Sequence, residues 1–390
     1  MGRPRAFAPG ASLPTAIDQF MTTAWTADHV AAIGGDPIPT APVIDPAQVA
    51  RVLPGHDLWD HWPVQEADGR TADLAGGHLH MLLSAPILPD PEARHALARI
   101  RLMHRTAQGW RDLGDLFPDG FSPGSREWSG SAIVSLGHDR LTVYFTAAGR
   151  RGEATLSFDQ RLFETTADLR VSDGIPVLGE WCEPRESVVA DGAIYARDMN
   201  GGGGIGTIKA FRDPAWFRDP ADGAEYLVFA ASLAGSPSPW NGVVGLARCE
   251  NAAWRLEAPL ISADGLNNEL ERPHLVHYNG LYYCFWSTQA KVFAEGGPAG
   301  PTGLYGMVAT SLDGNWAPLN GTGLVFANPA EAPIQAYSWQ VLHDLEVIGF
   351  VDRPGLAGEP ADATEARRHF GGTPAPVLQL RLDGAKALLA

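Results

Sequence analysis

The sequence predicts an all-β protein whose strands close into a propeller. Strand-like runs of apolar or alternating residues recur along the chain, and each is bounded by Gly, Asp, Asn or Pro. The runs have no fixed-period repeat and no long linker between them, which favours one closed architecture. A chain of 390 residues suits a propeller of several four-stranded blades. The clearest runs are residues 78–87, 131–136, 140–147, 225–233, 242–249 and 377–382.

Turn residues join some of these runs into hairpins. Asn279-Gly280 divides two β-rich arms within residues 274–287, and Asn-Gly suits a type I′ turn, whose twist matches that of paired strands. The Gly-His-Asp sequence at 137–139 predicts a second hairpin turn. Both pairs are therefore expected to be antiparallel.

Helix signals are few. Residues 44–53 follow an Asp-Pro start and predict one or two amphipathic helical turns. Residues 90–106 predict either another helix or a solvated loop, because their charges suit both. Neither segment changes the all-β prediction.

Composition excludes several classes of partner. The net charge is −16 and no block of Lys or Arg occurs, so nucleic acid and an anionic membrane surface are not expected partners. The three cysteines, Cys182, Cys249 and Cys284, form no Cys-x-x-Cys pair, which argues against a disulfide framework or a structural zinc site. The N-terminal stretch has no apolar region typical of a signal peptide. We therefore expect a cytoplasmic protein, or one exported without a cleaved signal.

Carboxylates occur in three stretches that also contain aromatic residues or arginine. The stretches are WDHWPVQ (59–65), FRDPAWF (211–217) and NNELERPH (267–274). In an extended segment Glu269 and Glu271 would share one face, with Arg272 on the other. Tryptophan faces suit the C–H faces of sugars, and glycoside cleavage uses two carboxyl groups. Taken together, the stretches predict a sugar site.

Each stretch also has a plain structural interpretation. Arg-Asp-Pro is often a turn with a local ion pair, and Glu-x-Glu on an edge strand is usually a solvated face. The sequence His78-x-His80 places two imidazoles on one strand face, which is half of a metal site. No further metal-ligand spacing accompanies it, so we predict no metal.

Six motifs follow one another along the chain: WDHWPVQ, EWSGSA (127–132), FRDPAWF, ELERPH (269–274), GPTGLYG (300–306) and QAYS (335–338). In this order they resemble the motifs of glycoside hydrolase family 68, which contains levansucrases, inulosucrases and β-fructofuranosidases. The resemblance covers about residues 55–355, and the chain is similar to the Gram-negative branch of the family.

The resemblance implies one catalytic domain over residues 1–390. This domain would be a five-bladed β-propeller with an acidic funnel on its axis, wrapped by residues 1–45.

The resemblance also implies a retaining reaction on sucrose with sugar acceptors and no cofactor. By motif, Asp60 would be the nucleophile, Glu271 the general acid/base and Asp213 the stabiliser of the transition state. Asp60 must be ionised and Glu271 protonated, so we expect a bell-shaped pH profile with an optimum on the acidic side of neutral. The sugar subsites would be lined by Trp59, Trp128, Ser129, Arg212, Glu269, Arg272, Gln289 and Tyr337.

Two features refine this expectation. The tripeptide Arg-Asp-Pro occurs twice, at 212–214 and 218–220. The first copy matches the family motif and the second falls at a variable turn, so of the two aspartates only Asp213, and not Asp219, is predicted to act in turnover. Gln289 stands where Gram-negative levansucrases have a His, and Ala290 where they have an Arg. Gln289 cannot supply their charge, so we expect hydrolysis and short-chain transfer to be favoured over levan polymer.

Three competing functions remain at this stage. A sugar-binding propeller without catalysis would bind sucrose and release no glucose. A glycosidase could act on another furanoside, such as an arabinofuranoside. A metal-dependent hydrolase could use His78 and His80. No convincing ligand set for a structural calcium is present in the sequence.

Overall fold

The chain folds as a five-bladed β-propeller, as the sequence predicts. The computed structural model describes residues 21–35, 38–197, 202–204 and 206–390. A short strand, β1 (Thr23–Ala24), and helix α1 (Ala27–Ala31) precede the blades, and helix α2 (Ala363–His369) lies within the fifth. Neither helix is long enough to cross a membrane, and no other helix in the described ranges is.

The blades follow one another along the chain. Blade 1 contains β2 (His56–Gln65), β3 (Gly77–Pro86), β4 (Arg99–Thr106) and β5 (Gly109–Asp115). Blade 2 contains β6 (Arg126–Val134), β7 (Arg140–Ala148), β8 (Gln160–Ser172), β9 (Ile175–Trp181) and β10 (Arg185–Val188). Blade 3 contains β11 (Phe211–Arg218), β12 (Glu225–Ser232), β13 (Gly242–Glu250) and β14 (Ala253–Ser262).

The last two blades are less regular. Blade 4 contains β15 (Glu271–Tyr278), β16 (Leu281–Thr288), β17 (Gly303–Ala309), β18 (Ala317–Pro318) and β19 (Leu324–Ala327). Blade 5 contains β20 (Ala336–Val341), β21 (Glu346–Val351), β22 (Thr373–Pro374), β23 (Leu378–Asp383) and β24 (Lys386–Leu389). Blades 1 and 2 form one nine-stranded sheet, because β2 and β6 pair in parallel.

Large aromatic side chains fill the space between neighbouring blades. Trp25 is 5.4 Å from Trp286 and 5.2 Å from Tyr305, measured between ring centroids. All three are buried, and such rings contribute both apolar area and edge-to-face contacts. Trp25 also packs in one buried cluster with Val244 and Leu260 of blade 3, so the segment that carries it helps to join blades 3 and 4.

Residues 21–35 and 38–45 pair with or hydrogen-bond to the later blades. Thr23 pairs in parallel with Ile261 of β14, and the backbone N–H of Ile44 donates to Oε1 of Gln335 at 2.8 Å. Residues 1–20 of the predicted wrapping segment lie outside the described residues.

The helix predictions need correction. Within residues 44–53 only Pro46–Gln48 is helical, as one 3-10 turn. A helix over 90–106 is wrong, because a 3-10 helix at Pro91–Leu97 is followed directly by β4. That strand lies between β3 and β5, and the ladder bonds from both sides outweigh the local helix preference.

The predicted hairpins are confirmed. Tyr278 pairs with Leu281 across a turn in which Asn279 has φ of 50° and Gly280 of 78°, as a type I′ turn requires. The turn at 137–139 joins β6 to β7.

Candidate active site

A cavity of about 700 Å³ opens at one end of the five innermost strands. These are the first strands of the blades, β2, β6, β11, β15 and β20. Each contributes two consecutive residues to the wall, and the resulting pairs are Trp59-Asp60, Trp128-Ser129, Arg212-Asp213, Glu271-Arg272 and Tyr337-Ser338.

A β-bulge explains how neighbours in a strand can face the same cavity. In a regular strand consecutive side chains point to opposite faces, but each innermost strand has a register shift at this pair. Four of the bulges place a residue other than Gly at positive φ: Asp60 (38°), Asp213 (61°), Arg272 (48°) and Ser338 (59°). Such backbone is uncommon and is concentrated at functional sites.

Proline marks two of these bulges in the sequence. Pro214 lies inside the bulge of β11, between Arg212 and Ala215. Pro273 lies inside the bulge of β15, which separates Glu271 from His274. A proline has no N–H for the ladder, so a central strand tolerates it where the ladder is already interrupted.

The predicted nucleophile is held by one hydrogen bond from the neighbouring blade. The hydroxyl of Ser129 donates to Oδ2 of Asp60 at 2.8 Å. Trp59, one residue earlier, is buried and also lines the cavity, and the guanidinium of Arg94 lies 5.2 Å from its ring. The hydrogen bond orients the carboxylate and leaves its other oxygen to contact a ligand.

Arg212 connects the carboxylates of blades 3 and 4. Its Nη2 donates to Glu269 at 3.2 Å and to Glu271 at 2.8 Å, and its Nε lies 3.6 Å from Asp213. Glu269 and Glu271 therefore point to the same side, as predicted. Both the guanidinium and Asp213 are buried, so these charges are poorly screened by water.

Glu271 has a second partner on blade 5. The hydroxyl of Tyr337 donates a short hydrogen bond to Oε2 of Glu271, and the side chain of Gln289 hydrogen-bonds to Tyr337. Gln289 also lines the cavity. The position that departs from the family pattern is thus connected to the predicted acid/base through Tyr337.

Arg272 lines the floor of the cavity. Its guanidinium donates to the carbonyl of His61 at 2.9 Å, to Ser338 and to Gln340 at 2.8 Å. Its backbone N–H donates to Asp213 at 3.3 Å. The expectation that Arg272 points away from the site is wrong, because the bulge breaks the alternation on which it depended.

Burial makes two of the carboxyl groups hard to ionise. It raises the pKa of Asp213 to about 7, with further repulsion from Glu271 and Asp60 and opposition from Arg212. Burial and repulsion from Glu271 raise the pKa of Glu269 to about 7. A carboxyl group and a carboxylate can share a proton at short range, and Glu269 and Glu271 both accept from the same nitrogen of Arg212. The cluster can therefore hold at least one proton near neutral pH.

Several residues of the cavity wall were not predicted from the sequence. Several of them are charged or titratable. Arg94, His95 and Arg353 carry positive or titratable groups, and Asp352 lies beside Arg353. Arg126 on blade 2 also lines the cavity. Residues 90–106 were interpreted as helix or loop, so no signal there pointed to a site.

The two histidines of the possible metal site are engaged elsewhere. Nδ1 of His78 lies 2.9 Å from the carbonyl of Ala72, and His80 is buried with its ring 5.7 Å from that of His61. Among the described residues no group of three or more His, Cys, Asp or Glu could hold a metal ion.

Comparison with known proteins identifies the family of the chain. The chain matches the family Glyco_hydro_68, described as Levansucrase/Invertase, over residues 15–241 and 238–389. It is 30% identical to levansucrase Lscbeta of Pseudomonas syringae pv. actinidiae, over 94% of this chain and 90% of the relative. It is 29% identical to a levansucrase of Rahnella aquatilis, over 95% of this chain and 94% of that relative.

Solved structures give the same result. An inulosucrase from Halalkalicoccus jeotgali bound to kestose has a TM-score of 0.85 and 36% identity, covering 95% of both chains. The fold alone is also shared with levansucrase from Gluconacetobacter diazotrophicus, with a TM-score of 0.82 and 23% identity over 96% of this chain and 91% of that chain. The chain belongs to glycoside hydrolase family 68, the levansucrase and invertase family.

Proposed function

We propose that this protein cleaves sucrose with retention, through a covalent fructosyl-Asp60 intermediate, and passes the fructosyl unit mainly to water. The observation that supports this most directly is the convergence of Asp60, Asp213 and Glu271, from three blades, on one cavity. The family membership and the levansucrase and inulosucrase names of the relatives support sucrose as donor.

In the first step Asp60 forms a bond to the anomeric C2 of the fructosyl unit. Ser129 holds Oδ2, so the other carboxylate oxygen attacks. The bond from C2 to the glycosidic oxygen breaks, and that oxygen takes the proton of Glu271, releasing glucose. Glu271 is left as a carboxylate, which Arg212 and Tyr337 stabilise through their hydrogen bonds.

In the second step Glu271 acts as a base. It takes a proton from water or from a sugar hydroxyl, whose oxygen attacks C2 and displaces Asp60. Asp213 hydrogen-bonds fructosyl hydroxyls while positive charge develops on the ring. Its position beside Asp60 suits that role, because the repulsion between these two carboxylates is relieved as the cation forms.

The preference for water follows from the part of the site that would bind an acceptor sugar. Gln289 contacts Tyr337 but supplies no positive charge to hold an acceptor sugar. A weakly held acceptor lets water compete for the fructosyl-enzyme. Levan synthesis is the second candidate, supported by the levansucrase names of the curated relatives.

The test is the time course of free glucose and free fructose released from sucrose by the purified protein. We expect nearly equal amounts. A large excess of glucose would favour the levansucrase candidate, and release of neither sugar would refute cleavage of sucrose.

A substitution tests the role of Gln289. Gln289→His restores a group that can carry charge, so the transfer-to-hydrolysis ratio should rise several-fold, by about 1 kcal/mol of acceptor binding. Ala290→Ser, at the exposed neighbouring position, is the control. An unchanged ratio in Gln289→His would show that this position does not control the acceptor.

A further inference from the structure

Lys209 places a positive charge among three neutral oxygen atoms. It is one of only three lysines in the chain. Its Nζ donates to the backbone carbonyl of Pro239, to Oδ1 of Asn241 at 2.9 Å and to Oδ1 of Asn268 at 2.7 Å. An ammonium group has three N–H donors, so these acceptors satisfy all of them.

The two asparagines are held in the orientation that this contact needs. Nδ2 of Asn268 donates to the carbonyl of Ile208 at 2.8 Å, and Nδ2 of Asn241 donates to the carbonyl of Leu233 at 2.8 Å. Both asparagines are buried. Because each amide nitrogen has its own acceptor, each Oδ1 faces the ammonium, and the oxygens form a site for a cation.

The ammonium joins three segments that are distant in the sequence. Lys209 lies just before β11, residues 239–241 connect β12 to β13, and Asn268 lies just before β15. The first two segments belong to blade 3, and the third leads into blade 4. The contacts of Lys209 therefore fix the entry of blade 4 against blade 3.

Glu269, the residue after Asn268, lies between the segments that Lys209 joins. Its backbone N–H donates to Oδ1 of Asn267 at 2.8 Å, and its Oε1 accepts from the backbone N–H of Gly206 at 2.8 Å. Glu269 is buried and lines the cavity. Since Gly206 precedes Lys209 by three residues, both segments that hold Glu269 also depend on the ammonium.

The charge of the ammonium also acts on Glu269. Its three acceptors are neutral and leave its net charge uncompensated. Burial lowers the pKa of Lys209, and the attraction of Glu269 opposes that shift. A guanidinium donates within one plane, whereas an ammonium donates in three directions, so an arginine would not satisfy the same oxygens.

We propose that Lys209 is a positioning residue of the candidate active site: its ammonium fixes Asn268 and so sets the position of the Glu269 carboxylate. The inference rests on the proposed function, because the expected effect is on sucrose, whose subsites Glu269 is expected to line. A displaced Glu269 would weaken the binding of substrate and of transition state alike, so KM should change more than kcat.

The experiment measures kcat and KM for sucrose in Lys209→Met, which keeps most of the apolar stem and removes the ammonium. We expect KM to rise about tenfold, as for loss of one hydrogen bond from a charged donor, and kcat to stay within about threefold. Lys386→Met, at an exposed position of β24, is the matched control and should change neither. Because KM does not depend on the folded fraction, a loss of stability alone would leave it unaltered.

Lys209→Ala tests the charge separately from the packing. Lys209 is half-buried, so a small molecule can reach the space that the shortened side chain leaves. Propylammonium has the three carbons and the ammonium that the variant lacks, and its addition should lower KM toward the wild-type value. Uncharged 1-propanol has the same length and should not. Equal effects of the two compounds would overturn the role of the charge.

An unchanged KM in folded Lys209→Met would overturn the inference and leave the proposed function intact. If that variant fails to fold, Lys209→Gln, which keeps a donor for one oxygen, takes its place, and the same outcomes apply with a smaller rise. No turnover of sucrose by the wild type would refute the proposed function. The Tm of Lys209→Ala would then decide on the cation contact, since propylammonium should raise it and 1-propanol should not.

Discussion

The tripeptide Arg-Asp-Pro occurs at both ends of β11, and the surroundings of its two aspartates differ. Asp213 and Asp219 are each 7 % exposed, so burial does not distinguish them. Asp213 lies on a bulge with φ of 61° and lines the large cavity. Asp219 lies at the far end of the strand, where it lines a second cavity of about 560 Å³.

Hydrogen bonding separates the two aspartates. Oδ1 of Asp219 accepts from the backbone N–H of Ala221 at 2.8 Å and from the hydroxyl of Tyr282 at 2.5 Å. Its own N–H donates to Ala224, which closes the turn. Asp213 accepts one long hydrogen bond from the N–H of Arg272, at 3.3 Å. The sequence expectation of a mere turn at Asp219 is therefore incomplete, because that carboxylate also connects blades 3 and 4.

The difference shows how a buried carboxylate at the candidate site lowers the stability of the folded chain. A buried carboxylate that accepts good hydrogen bonds stabilises the folded chain, as Asp219 does. A buried carboxylate left with little compensation is destabilising, and at Asp213 this is seen in the raised pKa and the left-handed backbone. In our proposal, the same three residues thus serve stability at one end of a strand and ligand binding at the other.

The largest expected effect comes from neutralising each aspartate in turn. Asp213→Asn removes a charge that would stabilise the transition state, so kcat/KM for sucrose should fall at least about 10²-fold. Asp219→Asn keeps an acceptor for Ala221 and Tyr282, and its kcat/KM should stay within about threefold of the wild type. Glucose release from sucrose measures both. Equal losses in two folded variants would remove the distinction between the copies.

The two arginines sharpen the same comparison. Arg212 contacts three carboxylates in the cavity, whereas Arg218 is exposed and donates to the carbonyl of Gly223 at 3.3 Å. Arg212→Lys cannot reproduce these contacts, and we expect kcat/KM to fall about 10- to 100-fold. Arg218→Lys is the matched control and should leave it unchanged. Loss of activity in Arg218→Lys would mean that the second copy also supports the site.

The free energy of unfolding should depend on Asp219, although the activity is not expected to. Asp219→Ala leaves Tyr282 and the N–H of Ala221 without their acceptor, so the free energy of unfolding should drop by about 1–3 kcal/mol. Urea unfolding of Asp219→Ala, Tyr282→Phe and the double variant would give the coupling energy between them. Strictly additive losses would show that the hydrogen bond across the blades contributes nothing.

The smallest expected effect is the pH dependence of stability at Asp213. The folded pKa, about 7, exceeds the ordinary value of 3.8, so in this window the folded chain binds more protons than the unfolded chain. This group therefore loses stabilising effect as pH rises from 4 to 7. Asparagine does not titrate, so the stability of Asp213→Asn relative to wild type should rise by about 1.4 kcal/mol for each pH unit between pH 5 and pH 7. Urea unfolding of both proteins at pH 5 and pH 7 measures the difference in their free energies of unfolding. An equal difference at the two pH values would contradict the raised pKa of Asp213.

Much of the site could be predicted because its motifs are local. Each cavity-lining pair is adjacent in the sequence, and Pro214 and Pro273 mark where two strands are interrupted. The residues of the cavity wall could not be predicted where they reach the cavity through contacts between blades. Arg94 and His95 reach the cavity from a 3-10 helix, and Arg353 reaches it from the end of β21, in sequences that resemble ordinary surface segments. The helix over 90–106 failed for the same reason, since β4 exists only between its two neighbours.

The sequence by itself determined the strand pattern and the turns, and its resemblance to the family motifs predicted the three carboxylates, because all of these depend on residues within a few positions of each other. Only the tertiary structure decided which aspartate is satisfied by hydrogen bonds, where the bulges turn Arg272 into the cavity, and which oxygens surround the ammonium of Lys209. Hydrogen bonds and charges act between atoms a few ångströms apart in space. In a closed propeller those atoms come from strands that are distant in the chain.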